Sequence, residues 1–213
     1  MRLILASASP RRAELLKAAG FEFEIRVTNV DEATRMGESP REYVLRVARD
    51  KASAAQGPVY AGRLKPAPTG ADREDGREII VAADTTVVVD GELLGKPVDD
   101  DDARRMLSRL SGRAHEVLTG VTVRTGTAER SSVESTAVWF KLLTEQEIEW
   151  YAASGEGRDK AGAYAIQGLG MRFIPRIDGS YSNVVGLPVA TVHQLLIELD
   201  RSVRKSPELS KFG

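Results

Sequence analysis

IIVAADTTVVVDGELLGKP, residues 79–97, holds both a strand with no polar face and a hairpin. Residues 79–83 form an unbroken apolar run, the pattern of a strand covered on both faces by other elements. Asp90-Gly91 separates residues 87–89 from residues 92–94, and a two-residue loop of this composition signals a hairpin because both positions tolerate a positive φ. The loop sets Val89 opposite Glu92, Val88 opposite Leu93, Val87 opposite Leu94, Thr86 opposite Gly95 and Thr85 opposite Lys96. Asp84 is thereby expected at a strand end, with Lys96 within its reach.

Upstream, RLILAS (residues 2–7) reads as a short buried strand that runs directly into a helix. In SPRRAELLKAAG (residues 9–20), Ser9 suits the cap and Pro10 the first helical position. Leu15, Leu16 and Ala19 recur at helical spacing, and Gly20 is a natural stop. The first turn carries Arg11 and Arg12, where unpaired backbone N–H groups already make the potential positive and an acid would be favoured. Such a turn calls for an anion. The alternative is a solvated arginine face, since the mismatch costs at most about 1 kcal/mol. A strand followed by a capped helix also presents backbone donors at the strand's carboxyl end, a common ligand position in α/β folds.

SPREYVLRVARDKASAAQG (residues 39–57) is a second helix, with Tyr43, Val44, Val47, Ala48 and Ala52 on one face. Residues 58–78 are rich in Pro, Gly and charge without periodicity and read as an exposed loop. DDDDARRMLSRLSG (residues 99–112) is a helix whose aspartates complement its dipole, with a metal site as the alternative. HEVLTGVTVRTG and ERSSVESTAVWFKLL read as antiparallel strands. TEQEIEWYAASG is a helix capped by Thr144 and Glu147, and VATVHQLLIELDRSVR a closing amphipathic helix. The fold class is α/β: a mixed twisted sheet with flanking helices. The chain reads as a single domain, 1–213, with a polar tail at 203–213.

The 213 residues suffice for a substantial core, in one domain or two closely joined lobes. With 30 Lys plus Arg against 31 Asp plus Glu, the net charge of −1 offers no general attraction for nucleic acid or anionic membrane, so any anion site is local. The absence of cysteine removes disulfides, thiolate metal sites and cysteine nucleophiles together. RLILA is too short for the hydrophobic region of a signal peptide, and a cytoplasmic location is expected. His115 and His193 have no metal-ligand spacing and read as structural or surface residues. There is no P-loop lysine motif and no G-x-G-x-x-G.

Arginines over helix donors, a carboxylate on a strand and a lysine brought beside it by a hairpin share one use. Phosphoryl chemistry needs cations on the phosphate oxygens and a carboxylate to orient water or hold a metal. Taken singly, Asp84 is equally a strand-end residue bonded to backbone, and Lys96 a hairpin-edge charge.

LILASASPRRAELL, VAADTTVVVDGELLGKP, DKAGAYAIQGLG and GSYSNVVGLP together resemble the successive motifs of the Maf family, the septum-formation-inhibitor-like nucleoside triphosphate pyrophosphatases. The likeness runs in the family's order from residue 3 to about residue 200. It implies two lobes around a nucleotide-binding cleft, a homodimer, and hydrolysis of a nucleoside triphosphate to the monophosphate and pyrophosphate, dependent on Mg²⁺ or Mn²⁺. Ser9, Arg11, Arg12, Lys51, Asp84, Thr85, Lys96, Lys160 and Gln167 fall on motif positions. The resemblance makes Asp84 the catalytic acid residue, aided by Lys51 and Lys96, and places Glu32 at a further acidic position for the metal. Whether Asp84 acts as base or as metal ligand stays open.

Gln167 resembles the dTTP/UTP group, where a glutamate marks the group acting on 7-methyl-GTP. A carboxamide offers the donor and acceptor that match O4 and N3–H of uracil or thymine; a cleft-wall residue bonded to backbone is the alternative. A nucleotide-binding regulator of cell division with little hydrolysis is the competing function. At this level, truncating either arginine is expected to impair catalysis with little change in Tm. The 58–78 loop is longer than is usual in the family.

Overall fold

The computed structural model describes residues 2–56, 78–126 and 128–204. In chain order these form β1 (Arg2–Leu5), α1 (Pro10–Ala18), β2 (Glu24–Ile25), α2 (Pro40–Ala55), β3 (Glu78–Val89), β4 (Glu92–Leu94), α3 (Asp100–Leu110), β5 (Ala114–Thr125), β6 (Ala128–Trp139), α4 (Glu145–Ser154), β7 (Arg176–Asp178), α5 (Tyr181–Val185) and α6 (Val189–Arg204). Two 3-10 segments, Ala161–Ala163 and Gly168–Phe173, lie between α4 and β7. The strands make one mixed sheet in the order β2-β1-β3-β5-β6-β7, with β4 paired to β3. This is the α/β class read from the sequence. Most of the 58–78 stretch and residues 205–213 of the tail lie outside the described residues, while Glu78 already belongs to β3. Among the described residues no helix is long and apolar enough to cross a membrane.

The hairpin register is the one read from Asp90-Gly91, with Val87 opposite Leu94, Val88 opposite Leu93 and Val89 opposite Glu92. Both loop residues have positive φ, 55° and 78°. Strand length is where structure and sequence differ. The sequence gives two short strands, 79–83 and 87–89, whereas β3 is continuous and Asp84 lies inside it rather than at its end. The cause is β5, which pairs without interruption from Ile80↔Arg124 to Val88↔Glu116 and carries Asp84, Thr85 and Thr86 across.

Alternation along β3 divides the core. On one face Val81 and Ala83 join α1 and α6 through Leu16, Val192, Leu195 and Leu199, while Val87 and Val89 join α3 and α4 through Leu107, Leu110 and Tyr151. Thr85 interrupts these two apolar clusters, and its cross-strand partner Thr119 lies 2.9 Å away, oxygen to oxygen. On the other face Ile80 and Ala82 pack with Ala52 and Ala55 of α2, and Val88 packs with Val44 and Leu118. The even-numbered positions between them are Asp84 and Thr86, so the polar triplet at 84–86 separates two cores that share one sheet.

Connectivity places a cleft at the same point. β1 pairs in parallel with both β2 and β3; the crossover through α1 packs on one face and the crossover through α2 on the other. Ligands in open α/β sheets bind at such a switch, beyond the carboxyl end of the central strand. The edge of β3 that faces β1 is bonded as far as Val81, by the Ala6 amide, and is taken up again by β4 at Val87. Between those residues no strand among the described residues pairs with that edge.

Candidate active site

A cleft of about 490 Å³ opens at this gap, a size suited to a small-molecule ligand. All ten residues singled out in the sequence line it: Ser9, Arg11, Arg12, Glu32, Lys51, Asp84, Thr85, Lys96, Lys160 and Gln167. With Asp159, the charged lining amounts to five cations against three carboxylates, a local excess of positive charge on a nearly neutral chain.

Asp84 points toward α2 and is 7% exposed. Its cross-strand neighbour is Gly120, where a Cβ would lie 2.3 Å from the Val44 carbonyl oxygen. Only glycine admits the α2 backbone so close to the sheet. Two helical turns beyond Val44, Lys51 then meets the floor of the cleft. Its Nζ donates to Asp84 Oδ1 at 2.8 Å and lies 2.7 Å from Glu32 Oε1. Lys51 is the ion-pair partner of Asp84 here, a place the hairpin reading gave to Lys96. Lys96 lines the cleft without an ion pair among the described residues, and β4 ends at Leu94, short of the Thr85–Lys96 pairing expected from the hairpin.

Glu32 comes from the loop before α2, which that helix tethers. Tyr43 donates from its hydroxyl to the Glu32 carbonyl at 3.0 Å, and Arg46 donates to the carbonyls of Asp31 and Ala33 and to the Glu38 carboxylate. Burial acts most strongly on Glu32 and pushes its carboxyl up. The hydrogen bond and charge of Lys51, with the charges of Lys96 and Arg12, outweigh it and hold the group below its usual value. Burial first, then the charges of Asp84 and Glu32, push the Tyr43 phenol up to about 12. Asp84 and Glu32 therefore approach one point, since a single ammonium touches both. Two hard carboxylates suit a divalent cation that takes its other ligands from water and phosphate.

The arginine pair divides into two kinds. Arg12 is half-buried, with Nε donating to the Gly186 carbonyl at 2.8 Å, Nη1 to Ser7 Oγ at 3.2 Å and Nη2 to Thr85 Oγ1 at 3.1 Å. Desolvation lowers its pKa, opposed by the charges of Asp84 and Glu32. Gly186 follows α5, an element too short for periodicity to reveal. Asn183 anchors it under the sheet by donating to the Val117 carbonyl and to Thr136 Oγ1. Arg11 is only loosely held, its Nη1 3.5 Å from Asp159 Oδ2. The same Asp159 accepts from Lys160 Nζ at 2.5 Å, so one carboxylate spans two cleft cations.

Ser9 stands at the cap position of α1 with extended backbone, but its side chain makes no capping bond, contrary to its reading as a cap. The Ser9 amide donates to Ser7 Oγ, and Ser9 lines the cleft. Gln167 is half-buried on the cleft wall and its side chain caps nothing. Sequence reasoning missed Asp159, Tyr43, Ser7 and Gly186. Asp159 was legible as the neighbour of Lys160, and Tyr43 as a residue two turns before Lys51 on the same helical face. The aspartates of α3 have structural partners: Asp99 caps the helix through the Asp102 amide at 2.7 Å, Asp100 pairs with Arg158, Asp101 with Arg104 and Asp102 with Arg105.

The family model described as Maf-like protein matches residues 2–199. A dTTP/UTP pyrophosphatase of Anaeromyxobacter sp. (strain Fw109-5) is 52% identical over 200 residues, covering 92% of this chain and 88% of that protein. A dTTP/UTP pyrophosphatase of Vibrio cholerae is 49% identical over 195 residues, covering 92% of this chain and 96% of that protein.

Proposed function

Because the chain belongs to the Maf-like protein family, we propose that it is a nucleoside triphosphate pyrophosphatase that hydrolyses dTTP and UTP to the monophosphate and pyrophosphate. The observation that carries the reading is the convergence of the nine motif residues and Glu32 on one cationic cleft at the switch point of the sheet. The names of relatives at about half identity supply the substrate class.

In this reading water attacks the α-phosphorus, an O–P bond forms, and the bond to the bridging oxygen of the β-phosphate breaks to release pyrophosphate. Arg11 and Lys160 exchange their shared Asp159 for phosphate oxygens. Arg12 uses three donors on the scaffold and acts as a fixed charge at the seam. Lys51 and Lys96 neutralise charge that develops on the phosphoryl and leaving oxygens. Asp84 orients the attacking water and takes its proton, or serves as a ligand of the divalent cation. Asp84 and Glu32 would hold Mg²⁺ or Mn²⁺, which would supply charge neutralisation and a water of lowered pKa. A pure binder gains nothing from a 7%-exposed carboxylate in a phosphate cleft, which favours the enzyme over a regulator. A homodimer of single-domain chains belongs to the same proposal and is read by light scattering.

The test is a panel of dTTP, UTP, CTP, GTP and 7-methyl-GTP with Mg²⁺ or Mn²⁺, with pyrophosphate and orthophosphate measured separately. The reading requires pyrophosphate as product, preference for dTTP and UTP, and loss of turnover in a chelator. Orthophosphate release, or preference for 7-methyl-GTP, overturns it.

A further inference from the structure

Gln167 stands where a helix cap stands, directly before the 3-10 segment Gly168–Phe173, and it does not cap. A polar side chain at such a position can accept from the backbone N–H two or three residues on, as Ser, Thr, Asp and Asn do. Here a distant residue takes both. Glu156, in the turn after α4, accepts from the Leu169 amide at 2.8 Å through Oε1 and from the Gly170 amide at 3.0 Å through Oε2. Tyr151 of α4 donates its hydroxyl to the same carboxylate at 2.7 Å, and that hydroxyl accepts from the Ala165 amide at 3.0 Å. Residues 165–170 are thus held on both sides of Gln167 by one Tyr-Glu pair.

Local geometry is built for this contact. Gly168 has φ +70°, and a Cβ there would lie 2.1 Å from Glu156 Oε1, so the carboxylate reaches the backbone only past a glycine. The Glu156 carbonyl also accepts from Lys160 Nζ at 2.5 Å, which ties the residue to the cationic side of the cleft. Burial pushes the Glu156 carboxyl up, but the Leu169 amide, the Tyr151 hydroxyl and the Gly170 amide outweigh it and hold the group below its usual value. At neutral pH it is an anion and only an acceptor. Glu156 itself is not part of the cleft lining.

We infer that Glu156 is a positioning residue for base selection: by accepting the two amides that Gln167 would otherwise cap, it leaves the Gln167 carboxamide free to read the nucleobase. The inference rests on the reading of Gln167 as the base contact. Without the Glu156 fork, the carboxamide folds back onto the Leu169 and Gly170 amides and is lost to the substrate.

The test is Glu156→Gln, which keeps the size but offers one acceptor where two amides point, compared with Gln167→Ala and with the double variant. Each is assayed for kcat and KM on dTTP, UTP, CTP, GTP and 7-methyl-GTP in one metal condition, alongside Tm. Glu156→Gln is expected to reduce the preference in kcat/KM for dTTP over GTP about tenfold, the scale of one lost polar contact in a reading site. Gln167→Ala is expected to do the same, and the double variant to be no worse than Gln167→Ala alone. A uniform drop on all five nucleotides with an unchanged ranking in Glu156→Gln, while Gln167→Ala flattens the ranking, overturns this inference and leaves the proposed function standing. An unchanged ranking in Gln167→Ala overturns the base contact and this inference together. If Glu156→Gln does not fold, Tyr151→Phe, which removes the hydroxyl bridging Glu156 and Ala165, is expected to shift the preference the same way, and an unchanged preference overturns the inference.

Discussion

The ammonium of Lys51 lies 2.8 Å from the carboxylate of Asp84, in the stretch of β3 whose β1-side edge has no strand partner among the described residues. The pair joins two consequences of the fold. β3 presents Asp84 because β5 carries it through the polar triplet, and α2 presents Lys51 because Gly120 lets the helix descend onto the sheet. Since Glu32 also lies 2.7 Å from the same ammonium, the site holds its two carboxylates together by a charge of its own. Substrate and cation must redistribute that charge rather than create it.

The descent of α2 can be tested apart from the chemistry. Gly120→Ala places a methyl 2.3 Å from the Val44 carbonyl and forces the helix outward. We expect a loss of about 1–3 kcal/mol, the usual scale of overpacking, read as a lower Tm. Turnover should fall further than stability alone explains, because Lys51 moves with the helix. An unchanged Tm and kcat/KM would mean that the close approach does not set the site.

The two arginines should separate. Arg11→Ala is expected to lower kcat/KM by at least tenfold with Tm nearly unchanged, since among the described residues its guanidinium meets one exposed carboxylate, at 3.5 Å. Arg12→Ala removes three scaffold hydrogen bonds at the seam and leaves the Gly186 carbonyl without that donor, so Tm should fall as well. This revises the expectation from sequence that both truncations spare Tm. Kinetics and thermal melts on both variants decide it; equal Tm values would contradict the division.

Acid stability should report His115. Its ring is 4% exposed, its Nε2 is 2.7 Å from the Tyr164 hydroxyl, and burial pushes its pKa down to about 4 from 6.5. Between those values the unfolded chain binds a proton that the folded chain does not, so stability is fully present above about pH 6.5 and declines as pH falls toward 4, by at most about 1.4 kcal/mol per unit. Melts from pH 7 to pH 4.5 should show a steeper fall in wild type than in His115→Phe. Parallel slopes would contradict a buried neutral imidazole.

Much of this was legible in the chain because the informative segments are local. The Asp90-Gly91 loop fixes a register within six residues, and the Thr144 cap announces α4 through contacts three residues apart. What the sequence hid is set by distance. β2, β7 and α5 have two, three and five residues, too few for a period to show. The identity of the lysine beside Asp84 depends on a helix–sheet approach across 33 residues, and the anchoring of Arg12 on a carbonyl 174 residues away. Asp84 read as a strand end because polar residues interrupt an apolar run, and only the pairing with β5 makes that run continuous.

On the proposed function Asp84 carries the hydrolysis, and pyrophosphate release by Asp84→Asn reads that role. The substitution keeps the size and the β5 pairing, while a carboxamide neither accepts a proton nor binds a divalent cation well. Measured with dTTP and UTP in Mg²⁺ and in Mn²⁺, turnover should fall by roughly two to four orders of magnitude while triphosphate affinity is largely kept, because the cationic side of the cleft is intact. Turnover within a few fold of wild type, from a variant whose melt shows it folded, would contradict the account.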